Sequence, residues 1–220
     1  GLGANALDPE AAKKIYAAKG RPSDNPLIVH IAHIEDADKY CITNDVYYKL
    51  AEKFLPGALT VIMPKRDFIP HEVTGGLETV AIRFPSDKNA RSLIDAAGIP
   101  VAAPSANRSG KPSPTTAKHV LEDMDGRIDM IIDGGECSIG LESTIVSIGE
   151  NCLTILRPGG VTAEMLGEIC PVKIDKVVTE KLAAGERPLA PGMKYRHYAP
   201  DTKVILIDSD REKFVEYIND

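Results

Sequence analysis

The 220-residue sequence has no tryptophan, no Cys-x-x-Cys pair, no excess of positive charge and no long apolar run. Its four cysteines, Cys41, Cys137, Cys152 and Cys170, lie far apart. That spacing speaks against a disulfide framework or a zinc site and for free thiols in a reducing compartment, so the expected location is cytoplasmic. No apolar run approaches the roughly 18 residues a spanning helix needs, and no secretory signal pattern is visible. A net charge of −6 gives no global basic field for nucleic acid. Any anion site must therefore be a local cluster of Lys and Arg. The tyrosines are too scattered for a base-stacking platform.

What is present is ordinary for a globular chain: 43% hydrophobic and 26% charged residues, enough for one large domain or one domain and part of a second. Helix signals are clear. Asp8-Pro9 caps a helix that Gly20 ends; Asp45–Phe54 is a second, stopped by Pro56-Gly57; Asp87 caps a third, ended by Gly98; Ser113-Pro114 starts a fourth running to about Met124; Thr162 caps a fifth. Short apolar runs at Leu27–Ile31, Leu59–Met63, Thr79–Phe84, Pro100–Ala103, Met130–Asp133 and Val172–Val178 have strand length. Ser143–Ile148 and Leu153–Leu156 form a hairpin pair around Gly149-Glu150-Asn151. Hairpins mixed with helix-separated strands predict an α/β fold with a mixed, twisted sheet. From Thr179 to Pro200 the proline- and glycine-rich texture is that of a linker, yet it carries Lys194-Tyr195-Arg196-His197-Tyr198. Val204–Ile207 and the polar stretch after it read as the opening βα of a second, Rossmann-like domain. Both ends are expected to continue beyond this stretch.

Chemistry concentrates in four places. Lys19-Gly20-Arg21-Pro22 is a loop with two cations. Pro22 biases Arg21 away from the helical region, so Lys19 and Arg21 are expected to point the same way along an extended chain, as a cationic fork. Arg83 lies within a strand, where it either pairs an internal carboxylate or grips a ligand carboxylate or phosphate. Ser105 and Asn107 follow a buried strand end, as a self-capping turn or as ligand donors. Ser143 and Thr144 follow Gly140-Leu141-Glu142, three polar side chains entering a strand as an edge, a strand cap or part of a site; Arg157-Pro158-Gly159-Gly160 closes the next strand as an ordinary exit turn or a place for a phosphate. Gly-x-Ser-x-Gly is absent, so Ser105 is not a nucleophile elbow. Gly1–Ala6 fits a dinucleotide fingerprint only formally, because no strand precedes it. Ser109-Gly110-Lys111 lacks the first glycine of a Walker loop. His30 and His33 do not share a face, so no metal pair is expected, and no metal ligands are assigned. Cations and hydroxyls without an obvious nucleophile suit a site that binds polyanions and positions reactants.

Lys19–Leu27, Ala103-Pro104-Ser105-Ala106-Asn107-x-Ser109-Gly110, Gly140–Thr144 and Leu156–Gly159 together resemble the threonylcarbamoyl-AMP synthases with their YrdC-like domain. The Lys-x-Arg and Ser-x-Asn pairs are that family's hallmark. Pro191–Pro200 resembles the linker of its two-domain form. The resemblance implies a YrdC-like twisted mixed sheet with flanking helices and an open concave cavity over residues 1–178, its N-terminal strand lying outside this sequence. A linker at 179–202 and the beginning of a Rossmann-like domain at 203–220 would follow. The family's Pro-Thr-Glu-Thr-x-Tyr-like segment before Gly-Leu-Gly, which supplies that strand and part of the threonine pocket, is not in these residues.

The implied reaction joins L-threonine, bicarbonate or CO₂, and ATP into threonylcarbamoyl-AMP and pyrophosphate. A separate transferase would use the product to modify tRNA. Carried over by motif, Lys19, Arg21, Ser105 and Asn107 would be catalytic. Lys19, Arg21, Asn25, Thr79, Ser105, Ser113, Arg157 and Tyr195 would meet ATP, and Mg²⁺ would come with it. His30, Arg83, Ala103 (through its backbone) and Ser143 would hold threonine. Two other readings remain open: an RNA-binding module with a possible direct tRNA contact, and a different carbamoyl-transfer enzyme of the same fold.

Overall fold

A computed structural model describes residues 1–178, 188, 205 and 207–219. The chain runs β1 (Ala4–Asn5), α1 (Pro9–Lys19), β2 (Ile28–His30), a 3₁₀ turn (Ile34–Asp36), α2 (Ala37–Tyr40), α3 (Asp45–Phe54), β3 (Leu59–Pro64), α4 (His71–Thr74) and β4 (Thr79–Arg83). It continues through α5 (Lys88–Ala97), β5 (Val101–Ala102), α6 (Ala117–Met124), β6 (Thr144–Ile148), β7 (Leu153–Arg157), α7 (Ala163–Gly167), β8 (Val172–Ile174), a second 3₁₀ turn (Lys176–Val178) and α8 (Arg211–Asn219). Among the described residues eight strands form one sheet, ordered β1-β5-β2-β4-β3-β6-β7-β8. The pairs β2–β4, β3–β6 and β7–β8 are parallel and the rest antiparallel, as expected of a mixed sheet.

Strand alternation divides the sheet into two faces. Val29, Val61, Val80, Ile82, Val146 and Ile155 join Ala12, Ile15 and Tyr16 of α1 and Tyr47, Leu50 and Ala51 of α3 in the main core. Each fully buried aliphatic side chain there contributes about 1.5–3 kcal/mol. The opposite face carries a smaller apolar cluster, Ile28, Ile62, Ala81, Ile145 and Leu156. Alternation therefore puts His30, Thr60 and Arg83 on that second face.

Several expectations are corrected. Ala4–Asn5 is a strand, paired antiparallel with Val101 and Ala102, in a stretch to which sequence reading assigned no strand. Met130–Asp133 is irregular, with Met130 and Ile132 exposed; among the described residues no strand pairs with it. The fourth helix starts at Thr116, whose side chain accepts from His119 N–H, and not at Ser113; the Ser113 hydroxyl instead donates to Glu142 at 3.1 Å. The Val172–Val178 strand stops at Ile174, where the Asp175 carboxylate accepts from Val177 N–H and turns the chain. The proposed linker apart from Pro188, and Val204 and Leu206 of the proposed strand, lie outside the described residues; the helix after them is α8. Among the described residues no helix is long and apolar enough to cross a membrane.

Candidate active site

The cationic fork exists, but its geometry is not the extended one. α1 ends in a Schellman motif: Gly20 adopts φ 60°, its N–H donates to Ala17 O, and Arg21 N–H reaches back to Tyr16 O at 3.0 Å. The helix end, not an extended chain, presents the two cations. Lys19 is only 3% exposed. Its ammonium donates to the Ser105 carbonyl, to Asn107 O at 2.6 Å and to Asn107 Oδ1 at 3.3 Å. Arg21 Nη2 donates to Asn25 O at 3.0 Å and Pro26 O at 2.8 Å. Asn107 Nδ2 in turn donates to Arg108 O and Lys111 O, closing the loop beside Lys19. Lys19, Arg21, Asn25, Ser105, Asn107 and Lys111 line a small cleft together with Ser109, Gly110 and Ser113.

Two polar atoms in this cleft are buried without a partner among the described residues: Arg21 Nε and Asn25 Oδ1. A buried donor and a buried acceptor left unmade are costly, and at a cleft wall they mark where a ligand's polar groups belong. Burial pushes the Lys19 ammonium down to about 7, with the Arg21 charge adding to the shift and Glu142 opposing it. Burial also brings Arg21 down to about 10. The three oxygens around Lys19 each accept one hydrogen, which favours the fully protonated form.

A second group sits at the ends of β2 and β4. His30 and Arg83 are register partners across this parallel pair. His30 Nδ1 is 3.1 Å from Ile28 O; a carbonyl only accepts, so this nitrogen carries the hydrogen of the neutral ring. Burial, and then the Arg83 charge, push the imidazole down to about 3. Arg83 Nε donates to Gly57 O at 3.1 Å, so the sheet arginine uses a carbonyl rather than the internal carboxylate considered from sequence. Ala103 N–H donates to Ile28 O at 2.9 Å, which fixes the backbone here beside β2.

Arg157 reaches the same face through a β-bulge. Ile145 pairs with Arg157 while the next residue, Val146, pairs with Ile155, so Leu156 is an extra residue in β7. Strict alternation would turn Arg157 to the main core; the bulge keeps it beside Leu156 on the second face. There Arg157 Nε and Nη2 donate to Ser143 O at 3.0 and 2.9 Å, Nη2 also donates to Ser143 Oγ at 3.0 Å, and Nη1 pairs with Glu142 Oε2 at 2.7 Å. Glu142 links this group to Ser113 of the cleft.

The structure thus brings Lys19, Arg21, Asn25, Ser105, Asn107 and Ser113 together around one cleft, and His30 beside Arg83, and Ser143 beside Arg157, on one sheet face. Thr79 shares that face but starts β4, about 13 Å along the strand from Arg83, and is not part of the cleft wall. Tyr195 lies outside the described residues. Sequence reasoning missed two participants. Glu142 was quoted only as part of a motif, although it is an acid between arginines. Thr60 is the lone hydroxyl in the apolar run Leu59–Met63, a signal that was available. Among the described residues no group of three or more His, Cys, Asp or Glu could hold a metal ion.

Residues 1–159 match the family described as Telomere recombination, the Sua5/YciO/YrdC proteins. The chain belongs to this family. Residues 161–219 match the family described as Threonylcarbamoyl-AMP synthase, C-terminal domain. Threonylcarbamoyl-AMP synthase of Bacillus subtilis is 49% identical over 225 residues, covering all of this chain and 64% of that protein. Among solved structures, the crystal structure of P. abyssi Sua5 complexed with L-threonine matches with a TM-score of 0.94 and 48% identity, over 99% of this chain and 64% of that one. This Sua5/YciO/YrdC chain therefore spans a little under two thirds of those relatives. Full-length HypF in its phosphate- and nucleotide-bound form matches at TM-score 0.59 and 21% identity, over 70% of this chain and 24% of that one; that likeness is one of fold alone.

Proposed function

We propose that this chain is the catalytic part of an L-threonylcarbamoyladenylate synthase, a nucleotidyltransferase. The observation that carries the reading is the adjacency of two sites of different character: a cleft with two buried cations and two unpartnered polar atoms, and an Arg83–His30 pair with a Ser143–Arg157 pair on the neighbouring sheet face. A polyanion suits the first. An amino acid, with a carboxylate for Arg83 and polar groups for His30 and Ser143, suits the second. The similar P. abyssi protein was crystallised with L-threonine.

In this reading threonine's amine adds to CO₂, loses a proton and becomes a carbamate. A carbamate oxygen attacks the α-phosphorus of ATP, the bond from that phosphorus to the β-phosphate oxygen breaks, and pyrophosphate leaves. Lys19 and Arg21, with Asn25, Ser105, Asn107 and Ser113, hold the nucleotide and balance charge that moves onto the leaving pyrophosphate. Thr79 and Tyr195 belong to the nucleotide side of the proposal and Ala103 to the threonine side. The chain's work is positioning and electrostatics; no covalent intermediate on a side chain is required. Magnesium arrives as part of the substrate, on the triphosphate, because the carboxylate at the site, Glu142, is engaged by Arg157 and Ser113.

The product feeds a transferase that modifies tRNA, in the cytoplasm, where four free thiols are at home. Residues 1–178 are the catalytic domain, 179–202 a linker and 203–220 the opening of a second domain. The deciding experiment is pyrophosphate release from ATP by the purified chain, expected to need both threonine and bicarbonate. Release indifferent to threonine would remove the assignment.

A further inference from the structure

We infer that Thr60 is a positioning residue that fixes the Ser143 hydroxyl as a hydrogen-bond donor to the amino-acid substrate. The inference rests on the proposed placement of threonine beside Ser143.

Thr60 sits in β3, beside β6, with its side chain on the same face as Ile62 of the smaller apolar cluster. It is 0% exposed. Its Oγ1 lies 2.8 Å from Ser143 Oγ, and Ser143 is the side-chain partner of Thr60 among the described residues. Ser143 Oγ also receives a hydrogen from Arg157 Nη2 at 3.0 Å, and a guanidinium only donates.

The two directions of the Thr60–Ser143 bond differ in which hydroxyl hydrogen is left over. A hydroxyl oxygen has two lone pairs and one hydrogen. If Ser143 donated to Thr60, the Thr60 hydrogen would be buried with nothing to accept it, at the cost of an unmade hydrogen bond. If Thr60 donates, both lone pairs of Ser143 are filled, by Thr60 and by Arg157. The Ser143 hydrogen is then the one left over; with no acceptor for it among the described residues, an oxygen of a bound ligand would complete it. Thr60 and Arg157 act together: they hold the oxygen from two directions and leave one way for its hydrogen to point. A substrate carboxylate or hydroxyl oxygen meets a donor already oriented, rather than a rotor that must be ordered on binding.

The test uses Thr60→Val, which keeps the shape and removes the hydroxyl, with Thr60→Ser, Ser143→Ala and the double variant Thr60→Val/Ser143→Ala. Threonine and ATP affinities are measured separately by calorimetry on the whole chain. Thr60→Val should weaken threonine binding roughly tenfold with ATP affinity unchanged, and Thr60→Ser should restore it. In the Ser143→Ala background Thr60→Val should add little, because its effect passes through Ser143. Full multiplication of the two losses, or threonine affinity in Thr60→Val equal to the starting protein, overturns the inference alone. Failure of the unsubstituted chain to bind threonine overturns both this inference and the assignment it rests on. An equal loss of threonine and ATP affinity reduces Thr60 to a packing residue.

Discussion

His30 stands in register with Arg83 across the parallel strands β2 and β4, a buried imidazole beside a half-buried guanidinium. Strand neighbours lie about 4.8 Å apart, so the guanidinium charge acts on the imidazole. The cation helps keep the imidazole uncharged. His30 is thereby a neutral hydrogen-bonding group and not a proton carrier near pH 7.

This gives a pH prediction. The ring titrates near 3 when folded and near its ordinary value of about 6.5 when unfolded. Between those values the unfolded state binds the extra proton, so stability falls as pH drops from about 6.5 toward 3, by at most about 1.4 kcal/mol per pH unit for one proton. Urea unfolding at pH 4, 5 and 7 should show a shallower fall for His30→Asn than for the unsubstituted chain. Parallel profiles would mean that His30 is accessible to protonation in the folded protein.

Lys19 predicts a proton linked to nucleotide binding. Its ammonium titrates at about 7 in the empty cleft, and a phosphate beside it favours the charged form. ATP binding above pH 7 should therefore take up a proton, and binding well below pH 7 should not. Calorimetry at pH 8 in buffers of different ionisation enthalpy reads the uptake directly, and Lys19→Met should abolish it. Equal heats in all buffers for the unsubstituted chain would contradict the placement of the phosphates.

Arg83 predicts a separation of the two substrates. Arg83→Ala should lose threonine binding by at least about a hundredfold, the scale of a charge-assisted pair, while ATP affinity stays within about twofold. Unchanged threonine affinity would take Arg83 out of the site.

Gly159 predicts a steric effect. A Cβ there would come within 2.4 Å of Glu142 O and 2.5 Å of Thr144 N, both backbone, so Gly159→Ala must displace the strand entry that carries Ser143. Overpacking of this kind costs about 1–3 kcal/mol, and threonine affinity should fall with it. Gly167 has nothing within 4 Å and Gly167→Ala should be silent in both assays. A silent Gly159→Ala would show that the two loops do not touch.

These features differ in how far the sequence disclosed them. α1 was legible to the residue because Asp8, Pro9 and Gly20 are local signals whose chemistry acts within one turn. The fork at its end was legible in composition but not in shape: the preference Pro22 imposes on Arg21 could not reveal that Gly20 would close a Schellman turn. Ser113 looked like a helix cap because Ser-Pro is a cap signal; its hydroxyl is bound instead to Glu142, far along the chain. Met130–Asp133 had the composition of a strand, but a strand also needs a neighbour, and that is a property of topology. The identities of Ser143 and Arg157 were visible, while their hydrogen bonds depend on a register that residue types do not encode.

The extra residue at Leu156 makes the register of β7 against β6 part of the site. Regularising the ladder at its present length, with Leu156 opposite Ile145, would turn the arginine toward the main core, with every site residue still present in the sequence. Comparison of such chains by composition or motif would score them alike. Where β7 places its bulge is a constraint on the site that residue identities alone do not carry.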